Sequence, residues 1–175
     1  MCSRTCFARL LLKASAFLVV NVFVGAEPAA WTLASPNGGV SLTITQPESG
    51  ARLSYRVELG SGAARRVLLP DAPLGLRRAD EDFTDGMVAG EAVRRTVKDA
   101  YELPRGKQRK VQAHGAEMVL PLVNRNGHRL EIVARAYDDG VAFRYRFPER
   151  SDRLVFMLAE ETGFQLPAGA RAEAS

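Results

Sequence analysis

From Val40 to Leu158 the chain returns to one pattern, an apolar residue at every second position. Val40, Leu42 and Ile44 alternate with Ser41, Thr43 and Thr45. Leu53, Tyr55, Val57 and Leu59 enclose Ser54, Arg56 and Glu58. Leu130, Ile132, Ala134 and Ala136 alternate around Glu131 and Arg135, and Val141, Phe143, Tyr145 and Phe147 around Arg144 and Arg146. Leu154, Phe156 and Leu158 continue the habit. A period of two puts one set of side chains on a buried face and the other toward solvent, the signature of half-covered antiparallel strands. Turn residues fall between the strands: Pro36-Asn37-Gly38-Gly39, Asn124-Arg125-Asn126-Gly127 and Asp138-Asp139-Gly140. Asn-Gly and Asp-Gly supply the positive φ of tight hairpins. Residues 87–101 come nearest to a helical stripe, but Gly90 and the Val and Thr residues weaken it. The reading is an all-β antiparallel sandwich from about residue 30 to 167, with Phe143 among its inward residues. At 175 residues the chain is too short for an eight-fold barrel, which needs about 250.

Residues 1–26 read as an export signal. Arg4, Arg9 and Lys13 form a basic start, Ala14–Val24 is an apolar run, and Val24-Gly25-Ala26 offers a cleavage site before Glu27. The run is shorter than the ~20 residues of a membrane span. The expected product begins at Glu27, lies in the periplasm or medium, and has no membrane contact after cleavage. Cys2 and Cys6 precede the run, so the mature part carries no cysteine for a disulfide or thiolate metal site. Removing the three basic residues of the leader from 24 leaves 21 against 20 acidic ones, a net of +1. That balance gives no reason to expect nucleic acid as a partner.

The residues that might carry chemistry are weak candidates. Glu160 and Glu161 are adjacent on a strand and so point to opposite faces. A glycosidase needs two carboxyls facing each other, about 5–5.5 Å apart for retention or 6.5–9.5 Å for inversion. Asp138 and Asp139 read as turn residues. Asp80-Glu81-Asp82 with Asp85-Gly86 lacks the ligand spacing of a calcium loop. His114 and His128 lie in separate segments with no metal spacing. Ser49-Gly50 and Ser61-Gly62 are turn dipeptides, and no GxSxG elbow occurs. Arg105, Lys107, Arg109 and Lys110 form a basic cluster without interleaved aromatics, read as a charged loop or edge strand. Trp31 and Tyr101 are isolated aromatics, better assigned to packing than to sugar stacking. The residues therefore give no catalytic, cofactor-binding or metal set.

Several segments together resemble the N-terminal domain of glycoside hydrolase family 97. They are Ser35-Pro36-Asn37-Gly38-Gly39, Ala51–Leu59 (ARLSYRVEL), Val67–Pro70 with Leu74-Gly75-Leu76, and Tyr101-Glu102-Leu103-Pro104-Arg105-Gly106-Lys107. The most specific is Ala136–Pro148 (AYDDGVAFRYRFP). Thr162-Gly163-Phe164 stands where the family shows a Thr-Glu-Phe type sequence, and Gly163 departs from it. The resemblance covers about residues 33–167. It implies a galactose-mutarotase-like super-sandwich at the front of an exported bacterial α-glucosidase or α-galactosidase. In that family a catalytic barrel carries the carboxylates and most calcium ligands. Residues 27–175 would then be a sandwich domain, incomplete at its C-terminus, whose normal partner is the barrel. An α-linked oligosaccharide is a possible ligand, and calcium is implied only for the full-length enzyme. The other function left open is a free-standing sugar- or protein-binding sandwich.

Overall fold

The computed structural model describes residues 28–102, 104 and 110–170. The leader, its cysteines and Arg105, Lys107 and Arg109 of the basic cluster lie outside the described residues. Eleven strands run along the described chain: β1 (Ala29–Ala34), β2 (Val40–Gln46), β3 (Ser54–Leu59), β4 (Arg66–Pro73), β5 (Leu76–Arg78), β6 (Val88–Ala89), β7 (Val93–Glu102), β8 (Lys110–Val123), β9 (Arg129–Tyr137), β10 (Gly140–Arg146) and β11 (Met157–Glu160). A single 3₁₀ turn, Gly62–Ala64, interrupts them. All named pairings are antiparallel.

One sheet has the order β1-β2-β3-β4. The second has the order β10-β9-β8, with β6 and β7 both pairing β8. β5 and β11 form a two-stranded ribbon. Alternation decides what each sheet buries. Leu42 and Ile44 of β2 and Tyr55 and Val57 of β3 face Met118, Leu120 and Leu122 of β8 and Leu130, Ile132, Ala134 and Ala136 of β9 across one core. β1 and β2 pack on the second sheet. Phe143 and Tyr145 of β10, and Phe147 just after it, point inward but remain half-buried at the margin of this core. Phe143 therefore faces the side its alternation indicated, without the full burial a central core residue has.

The turns follow their sequences with one exception. Between β8 and β9, Gly127 has φ +84°, and the Asn124 side chain accepts from the N–H groups of Asn126 (3.0 Å) and His128 (2.8 Å). Between β9 and β10, Tyr137 pairs with Gly140, so Asp138 and Asp139 form the whole loop. Neither aspartate nor Gly140 has a positive φ. The Asp-Gly dipeptide is thus not used for its conformational freedom. Instead the Asp138 carboxylate accepts from the backbone N–H of Asn37 at 3.0 Å, tying this loop to the β1–β2 turn.

Residues 87–101 are extended rather than helical, supplying β6 and most of β7. The alternation of Leu154, Phe156 and Leu158 is only partly a strand: β11 starts at Met157, and all three side chains are exposed. No helix among the described residues is long and apolar enough to cross a membrane.

Candidate functional site

The sandwich has an open mouth where β10 faces β3 and β4. Tyr55, Val57, Leu69, Val141, Ala142, Phe143, Glu160, Thr162 and Phe164 line a groove of about 270 Å³ there. Edge-to-face aromatic contacts build its wall: Tyr55 lies 5.0 Å from Phe143 and 6.4 Å from Phe164 between ring centroids.

The terminal segment is fastened across one end of this mouth by several bonds. Glu161 donates its N–H to the Gly75 carbonyl at 2.9 Å, and Gly163 donates to Pro73 at 2.9 Å. The Glu161 carboxylate meets Arg77 at 2.9 Å and Arg52 at 3.4 Å, and Arg52 also donates to the Glu161 carbonyl at 3.0 Å. Tyr55 donates its hydroxyl to the Gly163 carbonyl at 2.9 Å. Tyr145 accepts from the Gly75 N–H at 3.0 Å and shares a hydrogen bond with Thr162 at 2.8 Å. Burial raises the Tyr145 pKa, against the bonds from Thr162 and Gly75 that favour its ionised form. It therefore serves as a neutral clasp. At Gly163 a Cβ would come within 2.8 Å of the Pro73 ring, so this glycine packs directly against that side chain.

Glu160 and Glu161 accordingly divide. Glu161 is held by two guanidinium groups, while Glu160 is exposed and lines the groove. They do not form an opposed acid–base pair.

The other candidates also resolve into structural roles. Glu81 accepts from Asn124 (2.8 Å) and Asn126 (2.9 Å) and meets His128 Nε2 at 3.0 Å, which clips the loop before β6 to the β8–β9 hairpin. The bonds from Asn126 and Asn124 hold its pKa below the ordinary carboxylate value. Asp82 caps the N–H (2.8 Å) and hydroxyl (2.6 Å) of Thr84. His114 and Tyr101 are exposed, and Trp31 is half-buried against the core. Lys110 begins β8 and approaches Glu102 at 3.9 Å. Among the described residues no three of His, Cys, Asp and Glu gather as a metal cage.

One group escaped sequence reasoning. Glu117 lies on the outward face of β8, opposite Arg95 of β7 and Arg135 of β9, yet is only 1% exposed. Its cover comes from the arginines themselves: Arg95 donates at 2.6 Å and Arg135 at 2.7 Å. Asp99 and the Tyr137 hydroxyl extend the network, joined by a 2.6 Å bond. Burial pushes the Glu117 pKa up, but the bonds from Arg135 and Arg95 outweigh it and leave a net lowering below 4.5. A depressed carboxylate stabilises the fold above its unfolded pKa and loses that contribution as pH falls through the folded value. Stability should therefore decline in acid below about pH 4.5. Glu117→Gln should cost roughly 1–2 kcal/mol at pH 7 and flatten that decline in urea titrations from pH 7 to 3. An unchanged acid limb in the variant would assign the decline to other carboxylates.

A family described as "Glycosyl-hydrolase 97 N-terminal" matches residues 33–174. This chain belongs to that family. The glycosyl-hydrolase 97 N-terminal assignment agrees with a relative from Streptomyces bingchenggensis (strain BCW-1), named "Probable retaining alpha-galactosidase". It is 31% identical, over 97% of this chain and 26% of that protein. A crystal structure of a β-arabinopyranosidase superposes with a TM-score of 0.69 at 25% identity, covering 78% of this chain and 21% of that one. A glycoside hydrolase family 97 enzyme (E480Q) from Pseudoalteromonas sp. strain K8, in complex with panose, shares the fold with a TM-score of 0.63 at 19% identity, covering 79% of this chain and 20% of that one. The glycosyl-hydrolase 97 N-terminal region described here spans about a quarter or less of these relatives' length.

Proposed function

We infer that this chain is a non-catalytic N-terminal β-sandwich of an exported α-glycosidase, which packs against a catalytic barrel and helps to shape its carbohydrate site. The observation that carries this reading is an apolar surface the sandwich does not cover. Within one stretch Leu154 is 89% exposed, Phe156 73%, Leu158 65% and Phe164 73%. The stretch is held in place by the β5–β11 ribbon and the Glu161 clasp, so these side chains are presented and not merely unpacked. A fixed apolar surface of this kind marks an interface. The leader-like residues 1–26 support export, and the name of the Streptomyces relative supports an α-glycosidic substrate.

Chemistry then falls to the barrel. Glu160 and Glu161 point apart and Glu161 is neutralised, so these two carboxylates offer no opposed proton donor and nucleophile. The chain alone should not turn over aryl α-glucosides or α-galactosides, with or without calcium. Adding the separately produced remainder of the Streptomyces relative should give a complex, weakened at least tenfold by Phe156→Ser with Leu158→Ser, which loses their buried apolar area. Turnover by the chain alone that disappears in a Glu160→Gln, Glu161→Gln double variant would overturn the reading.

A further inference from the structure

β10 is the outermost strand of the second sheet, and its far edge faces the groove. Its register shows which groups are unpaired. Tyr137 and Gly140 close a two-residue hairpin, so the pairs Tyr137–Gly140, Arg135–Ala142, Val133–Arg144 and Glu131–Arg146 are the hydrogen-bonded ones. Val141, Phe143 and Tyr145 then turn their N–H and C=O groups away from β9. Among the described residues no backbone bond reaches them. The same three residues send their side chains inward, beside the groove. Edge strands are normally blunted by proline, lysine or a bulge. The outer strand of the other sheet is blunted in this way, since β4 carries Pro70 and Pro73 and an irregular register with β3. β10 has no proline and no register shift, and its charged residues, Arg144 and Arg146, alternate with the inward set on the face turned from the groove.

Charge narrows what fits. A strand laid against β10 would place one set of side chains in the groove, against Tyr55, Val57, Leu69 and Phe164, and the other set on the outer face beside Ala142 and Arg144. Among the described residues no carboxylate pairs with Arg144, whereas its neighbours are paired, Arg146 with Glu131 and Arg135 with Glu117 and Asp99.

We propose that the β10 edge is a strand-addition site for an extended segment from the remainder of the glycosidase. That segment would carry apolar residues at alternate positions toward the groove and an acidic residue opposite Arg144. The proposal rests on reading the chain as part of a longer glycosidase, and of the exposed terminal stretch it uses only Phe164. Main-chain bonds to Val141, Phe143 and Tyr145 would supply the affinity, the groove the apolar specificity and Arg144 the choice of charge.

The test is amide hydrogen exchange on the full chain, alone and with overlapping twelve-residue peptides covering the Streptomyces relative beyond the matched region. The amides of Val141, Phe143 and Tyr145 should exchange fast in the free chain. A peptide with apolar alternation and an acidic outward residue should slow them at least tenfold. N-methylation of that peptide at its edge-facing positions should abolish the effect. Arg144→Glu should weaken the peptide about fivefold and favour its lysine-substituted form. The proposal falls if no peptide protects these amides, if protection grows with chain concentration alone, as a second copy would give, or if Arg144→Glu leaves the charge preference unchanged. Should the terminal stretch bind the remainder of the relative while the β10 amides stay fast in that complex, the accessory-domain reading survives and the strand-addition site does not.

Discussion

Leu120→Ala is expected to lower the stability of the fold by about 3–5 kcal/mol. Leu120 is fully buried on β8, where β8 pairs with β9 and packs beneath the first sheet. Its neighbours Leu122, Ile132 and Met118 are themselves locked in strands and cannot collapse into the space. At about 2–4 °C per kcal/mol, the melting temperature should fall by roughly 10 °C. Paired urea and thermal unfolding would measure both. A loss below 1 kcal/mol would mean that the two sheets are not packed tightly at this point. Phe143→Ala, at the half-buried margin, should cost less, about 2 kcal/mol.

Gly60→Ala should cost about 2–4 kcal/mol, although it adds a single methyl. Gly60 follows β3 with φ +84°, a conformation that disfavours any L side chain by about 1–2 kcal/mol. A Cβ there would also stand 2.6 Å from the Ala64 carbonyl oxygen. That oxygen belongs to backbone at the end of the 3₁₀ turn and cannot rotate away. Gly127→Ala has the same sign of φ and nothing within reach of a Cβ, so it should show the conformational cost alone. Comparing the two variants by urea unfolding separates the terms. Equal losses would remove the steric part of the argument.

How far the sequence reached can be traced through individual strands. β2, β3, β9 and β10 were legible because each has one face more deeply covered than the other, so that burial printed itself as alternation. β7 was not. Nearly all of its residues are exposed or only partly covered on both faces, and without a buried side there is no period to read. The first half of β8 was lost for a related reason: its small and polar residues, from Gln112 to Ala116, carry little apolar signal. Leu154, Phe156 and Leu158 showed the opposite failure. Their alternation is clear, but what it faces is not within the described residues. The family was legible from short motifs because most of these, among the described residues, coincide with turns and pairing strands. The groove and Glu117 were not legible. Each depends on which strands become neighbours, and the Arg95–Glu117–Arg135 row is formed by three separate strands in one register. Opposite charges 18 and 22 positions from a glutamate carry no signal until that register is set.

The β5–β11 ribbon sets an order of events. Both main sheets are built largely from consecutive hairpins, β1 through β4 and β7 through β10, so each closes only short loops. The ribbon joins Arg78 to Met157, a closure of roughly 80 residues, and that is the entropically expensive one. A chain emerging from its N-terminus can therefore assemble two meanders while β5, Arg52 and Arg77 still wait for their partners. Only when Glu161 and Gly163 have emerged can the last bonds form across the mouth. Closure of the mouth is thus timed by residues 157–163, which are made after both meanders, and the neighbouring Leu154, Phe156 and Phe164 keep their side chains exposed.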